Sequence, residues 1–100
     1  DPILFTAITQ APGAWKGLLF RTNNLQNRLD HVTIEYTGSG AFNSNGDRGA
    51  IIVWADAYLS LTNSTLRESS ADCAINARYS GETVDQTNNT ITGFTNNYCD

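Results

Sequence analysis

Side chains able to do chemistry are thinly spread along this sequence. His31 is the only histidine. A catalytic role for it needs a nucleophile or carboxylate alongside. Asp30 and Glu35 are near in sequence, but they fall in a run that also carries structural residues. The ten carboxylates are scattered from Asp1 to Asp100 with no Asp-Asp pair, so the paired acids of glycoside hydrolysis have no obvious counterpart. The segment Asn43-Ser44-Asn45-Gly46-Asp47 is superficially like a calcium loop, but it lacks the D-x-[DN]-x-[DN]-G pattern and the distal Glu. It reads as an Asn/Gly turn, and no metal or other cofactor is expected. Cys73 and Cys99 are too few for a structural zinc site. Trp54 and Tyr79 could offer faces for a sugar to stack on. With Asn43, Asn45 and Asp47 they make the candidate binding surface, set against local packing as the alternative.

The elements that must position these residues are written in the composition. Apolar residues make up 40% and charged residues 16%, below the usual ~45–50% and ~25%. Twelve Thr, eleven Asn and seven Ser fill the difference. Thr suits a pleated surface and Asn suits turns, so the mixture predicts many short strands joined by polar corners. A net charge of −4 and a single lysine argue against nucleic acid or an anionic membrane as partner. No apolar run approaches the ~18 residues of a membrane-spanning helix. Met is absent and the N-terminus lacks a basic-then-apolar leader. The chain therefore reads as a processed protein or a segment of something longer.

The chain repeats itself. Gly17-Leu18-Leu19-Phe20 followed by Leu29-Asp30-His31-Val32-Thr33-Ile34-Glu35 returns 32 residues later as Gly49-Ala50-Ile51-Ile52 and Leu61-Thr62-Asn63-Ser64-Thr65-Leu66-Arg67. A third copy, Cys73-Ala74-Ile75-Asn76-Ala77 and Gln86-Thr87-Asn88-Asn89-Thr90-Ile91-Thr92, comes 24 to 25 residues after that. The longer first interval holds a Gly/Ser/Asn-rich insert at about 37–48, and the opening Ile3-Leu4-Phe5 looks like the closing strand of an earlier copy. Copies this short cannot hold a βαβ unit, which needs about 30 residues. They predict an all-β solenoid of about three to four turns over residues 1–100, stacked at the ~4.8 Å strand separation. Ile34, Leu66 and Ile91 should form one interior column, and Leu59 and Val84 another. Thr33, Thr65 and Thr90 should face outward, while His31, Asn63 and Asn88 should stack as a corner ladder. Asn63-Ser64-Thr65 and Asn88-Asn89-Thr90 are also glycosylation sequons, though the ladder gives their Asn residues a structural reading. Glu35 and Arg67 align one turn apart, as a cross-turn ion pair. A small β-sandwich is the alternative fold, but Trp54 precedes both cysteines, which the immunoglobulin order does not allow.

Cys73 opens the third copy and Cys99 sits about where a fourth would open. Neighbouring turns bring equivalent Cα atoms to ~4.8 Å, within disulfide range. A bridge pinning the C-terminal end is one reading, and two reduced cysteines in or near the core is the other.

Pro12-Gly13-Ala14-Trp15-Lys16-Gly17-Leu18-Leu19-Phe20 with Leu29-Asp30-His31-Val32-Thr33-Ile34-Glu35-Tyr36 resembles bacterial right-handed parallel β-helix repeats of the pectate-lyase-like solenoid superfamily. The corner Leu61-Thr62-Asn63-Ser64-Thr65-Leu66 is similar to theirs, and the resemblance covers nearly the whole chain. It implies a right-handed parallel β-helix. The family includes polysaccharide lyases and hydrolases, adhesins and surface proteins. Its hydrolases pair adjacent aspartates with a histidine on neighbouring turns, and this sequence departs from that. Two functions follow as expectations: a structural or binding module of a secreted or surface protein contacting glycans, or part of a polysaccharide lyase or glycoside hydrolase. The cytosol stays open as a location. Two open solenoid ends predict self-association or continuation in a longer chain.

Overall fold

Period-two apolar residues in runs of two to five, each stopped by a polar corner, fold into short strands that pair only with their counterparts in the next copy. The computed structural model describes residues 3–42 and 46–100. In chain order the strands are β1 Ile3–Phe5, β2 Leu18–Phe20, β3 Arg28–Asp30, β4 Val32–Glu35, β5 Ile51–Val53, β6 Tyr58–Thr62, β7 Thr65–Arg67, β8 Cys73–Asn76, β9 Thr83–Thr87, β10 Thr90–Ile91 and β11 Asn96–Cys99. They form three sheets: β1-β4-β7-β10 (sheet A), β2-β5-β8-β11 (sheet B) and β3-β6-β9 (sheet C). Every pairing is parallel. Each circuit passes through A, B and C before returning to A one layer on, so the fold is a parallel β-helix. An antiparallel β-sandwich is excluded.

The register places Phe5, Ile34, Leu66 and Ile91 in one column. Leu59 stacks on Val84, and Leu18, Ile51 and Ile75 form a third column. Ile34, Ile51, Ile52, Leu59, Leu61, Leu66 and Ile75 are wholly buried. Their counterparts in the outer turns, Phe5, Leu18, Leu29, Val84 and Ile91, are half-buried. Among the described residues the core therefore lies in the two middle turns, which have a neighbour on each side. Thr33 and Thr65 are half-buried and Thr90 is exposed.

Three corners recur, each built on residues with positive φ. His31 (56°), Asn63 (51°) and Asn88 (60°) turn the chain from sheet C into sheet A. Tyr36 (65°), Glu68 (53°) and Gly93 (82°) turn it out of sheet A, and Asp56 (61°) and Gly81 (82°) turn it into sheet C. Left-handed residues are uncommon outside glycine, and Asn is among those that tolerate the region best. At the first corner the predicted ladder holds for its two Asn rungs and not for His31: Asn88 Nδ2 donates to Asn63 Oδ1 (2.7 Å), Asn63 Nδ2 donates onward to Asp30 Oδ1 (3.0 Å), and His31 Nδ1 lies against the other oxygen of Asp30 (2.9 Å) in its own layer. Both sequon amides are thus engaged in the ladder. At the third corner a Cβ at position 81 would press on the Asp56 carboxylate, which would have to swing aside to admit it.

The excursion expected at 37–48 is narrower than its composition suggests. Thr37 is buried, and its hydroxyl donates to Ser69 Oγ one turn on (2.8 Å). Ser70 Oγ donates to the Gly38 carbonyl (2.9 Å). These residues form a polar rung between turns, so Thr37 and Gly38 belong to the coil. Further on, the Phe42 amide donates to the Asp47 carbonyl (2.8 Å) and Asn76 Nδ2 donates to the Arg48 carbonyl (3.2 Å).

Cys73 and Cys99 form a disulfide with Cα atoms 6.0 Å apart. Asn96, not Cys99, is the ladder partner of Cys73, and Cys99 pairs with Asn76. The fourth turn therefore enters sheet B three residues earlier than the cysteine spacing suggested.

Candidate binding groove on sheet C

Three of the five residues proposed as a binding surface come together. Trp54 follows β5 and Tyr79 follows β8, with ring centroids 6.2 Å apart and planes tilted by 58°. The Tyr79 hydroxyl donates to the buried carboxylate of Asp47. The Arg21 guanidinium lies 4.3 Å over the Trp54 ring, a cation–π contact. Arg21 thus occupies the Trp54 face that a sugar would need, and Tyr79 ties the returning stem of the insert to the solenoid. Asn43 and Asn45 lie outside the described residues. The cluster reads as a clasp between turns.

Glu35 and Arg67 make the expected cross-turn pair, with Nη2 and Nε each 2.9 Å from Oε1. Glu35 is buried, and its other oxygen accepts from the Thr6 hydroxyl at 2.7 Å. Its backbone carbonyl accepts from Trp15 Nε1 (2.7 Å), and the Trp15 ring stacks on Phe5. The Thr6 hydroxyl, and after it Arg67, hold the Glu35 carboxyl below its ordinary value of 4.5. A carboxyl with a folded pKa below its unfolded one stabilises the fold fully above the unfolded value, and that contribution is lost as pH falls through the folded value. Thermal melts of the wild type should therefore lose midpoint as pH drops below about 4.5. Glu35→Gln should melt lower at pH 7 and lose less on acidification. Parallel acid limbs for the two proteins would remove Glu35 from this role.

An open polar concavity lies on the outer face of sheet C. Arg28 and Asp30 of β3, Ser60 and Thr62 of β6, Asn63 of the adjoining corner and Thr87 of β9 line a groove of about 590 Å³. The ladder sets them in rows, with Arg28 beside Ser60 and Asp30 beside Thr62, and Thr62 beside Thr87. Outward positions recur every second residue, while Leu29, Leu59 and Leu61 point inward from the same strands. Asp30 Oδ1 accepts from Thr62 Oγ1 (2.7 Å) and Asn63 Nδ2 (3.0 Å), and His31 Nδ1 lies 2.9 Å from Oδ2. The Thr62 hydroxyl, then Asn63, then His31 lower the Asp30 pKa to about 2. At the groove margin the Tyr58 hydroxyl donates to Asp85 (3.0 Å), and that bond raises the Tyr58 pKa.

Chemically the groove is a row of hydroxyls and amides around a fixed anion and a guanidinium. Asp30 and Glu35 are both pushed down. That suits a hydrogen-bond acceptor and is the wrong direction for a general acid near neutrality. The described residues include no group of three or more His, Cys, Asp or Glu side chains placed to hold a metal ion. Of the groove residues, the sequence marks only Asp30 for chemistry, beside His31, and Asn63 as structure. The alignment that stacks His31 on Asn63 and Asn88 also stacks Asp30 on Thr62 and Thr87, which was the available signal. No family model, curated protein or solved structure matches this chain.

Proposed function

We propose that this chain is a binding module that holds a polyhydroxylated ligand, a glycan, along the outer face of sheet C. The groove spanning three stacked turns carries this reading. Its hydroxyls, amide, guanidinium and the Asp30 carboxylate offer both donors and acceptors at fixed spacing, the set needed to read the hydroxyls of a sugar. The Cys73–Cys99 disulfide supports an oxidising location, a cell surface or the exterior. No described helix is long and apolar enough to cross a membrane.

The test is binding to an array of neutral and acidic polysaccharides, followed by calorimetry on any hit, with Asp30→Asn and Arg28→Ala as variants. Each variant should weaken binding about tenfold or more, because a hydrogen bond to a charged group contributes roughly 1.5–3 kcal/mol. The melting midpoint should stay close to wild type for Arg28→Ala. Binding unaffected by both variants would refute the groove. Cleavage of a polysaccharide that these variants abolish would turn the reading toward a lyase or hydrolase.

A further inference from the structure

The two sulfurs of the Cys73–Cys99 bridge have unlike surroundings. Cys73 is the first residue of β8 and Cys99 the last of β11, both in sheet B. Each has one acidic neighbour in the chain, Asp72 before Cys73 and Asp100 after Cys99. Local sequence therefore gives the two sulfurs similar negative flanks. The difference is Arg78. Its side chain reaches back five residues, and Nη2 donates to Cys73 Sγ at 3.4 Å. Among the described residues no hydrogen bond or ion pair joins a basic side chain to Cys99, and none joins Arg78 to a carboxylate.

A sulfur in a disulfide is a weak acceptor, so this contact adds little to the oxidised protein. Its effect grows once the sulfur carries charge. A guanidinium stays protonated at any physiological pH, and a hydrogen bond from it to a thiolate is charge-assisted. Cys73 is thus the sulfur better fitted to hold a negative charge, and a thiolate beside Arg is the more stable one. Exposure differs in a matching sense: Cys73 is 2% exposed and Cys99 7%.

We infer that the bridge is polarised, so that an incoming thiolate attacks Cys99 and releases Cys73, making Cys99 a site of mixed-disulfide modification by small thiols. The incoming thiol first gives its proton to solvent. A lone pair on its sulfur then forms the new S–S bond to Cys99 Sγ. The Cys73–Cys99 bond breaks, and its electron pair departs on Cys73 Sγ, which the Arg78 guanidinium receives as a thiolate. One disulfide replaces another, so no further oxidant or reductant is needed. Attack on Cys73 would instead expel Cys99 as the thiolate, beside Asp100 and without a guanidinium bonded to it. Exchange runs faster when the departing thiolate is the more stable one, which favours the first direction. The modification also removes the covalent hold of β11 on β8 while leaving their ladder in place. Nothing in this step involves the groove of sheet C, so it stands whether or not a glycan binds there.

Reaction of the oxidised chain with reduced glutathione tests this. Samples are quenched in acid at early times, the freed thiol is alkylated, and peptide mass spectrometry locates the glutathione. The expected product carries glutathione on Cys99 and the alkyl group on Cys73. Arg78→Gln, checked for an unchanged melt before reaction, should slow the first cleavage about threefold or more and even out the two attachment sites. Arg78→Lys keeps the positive charge and should retain the preference for Cys99. Glutathione found mainly on Cys73, an even split in the wild type, or no adduct on either cysteine would each overturn the inference. So would a preference for Cys99 that survives Arg78→Gln, since a merely more open position at Cys99 would then account for it. Should Arg78→Gln fail to fold, the wild-type attachment site and the Arg78→Lys variant decide the matter: loss of the preference in Arg78→Lys, or its absence in the wild type, overturns the inference.

Discussion

Leu66→Ala should destabilise the chain by about 2–5 kcal/mol, the cost of deleting buried methyl groups and leaving a cavity. Leu66 is wholly buried and stacks between Ile34 and Ile91, so neither neighbouring layer can collapse into the space without breaking its own ladder. For a domain whose net stability is ~5–15 kcal/mol this is a large fraction. Ile91→Ala, at the half-buried end of the same column, should cost less, since water already reaches its position. Urea unfolding followed by circular dichroism measures both. Equal losses at the two positions would mean that the column does not grade from middle to end as its burial indicates.

Cutting the Cys73–Cys99 bond should cost about 3–4 kcal/mol on the chain-entropy account, given cysteines 26 residues apart. The effect should be uneven along the coil. The bridge holds β11 to the buried β8 and encloses β9 and β10, and the side chains of β9, β10 and β11 are mostly exposed. Reduction, or Cys73→Ser with Cys99→Ser, should therefore release the last turn before the middle turns, splitting one transition into two. Amide exchange should then quicken in residues 83–99 while Ile51–Val53 stays protected. A single transition with an unchanged midpoint after reduction would show that the last turn holds through its ladder bonds alone.

Much of the coil was legible because the chain is its own alignment. Ile34 on Leu66 on Ile91, and His31 on Asn63 on Asn88, follow from self-similarity plus the requirement that equivalent residues stack. What escaped was whatever depends on backbone conformation without a residue signature. Tyr36, Glu68 and Gly93 make a repeating left-handed corner, yet they share no side-chain chemistry, and the two that are not glycine are held there by stacking. The rung of Thr37 with Ser69 and Gly38 with Ser70 was hidden for a related reason. Ser, Thr and Gly read as loop, and only register shows them satisfying one another. The clasp of Asp47, Tyr79 and Trp54 was half visible: the aromatics aligned, but Arg21, which covers Trp54, stands at the same position one layer earlier with an unlike side chain. The groove was overlooked because Thr62 and Thr87 are ordinary strand residues one at a time.

Repetition has a consequence for size. Each described layer meets only its neighbours, and at the corner out of sheet C one side chain per layer bonds to the next, Asn88 to Asn63 and Asn63 to Asp30. Nothing in that arrangement counts layers. A duplicated 25-residue unit carrying Thr-Asn at the corner would slot between β6 and β9 and add one rung, lengthening the outer face of sheet C by about 4.8 Å without altering its cross-section. The face then behaves as a ruler whose gradations are turns, and the reach of whatever lies along it becomes a matter of copy number instead of new side chains.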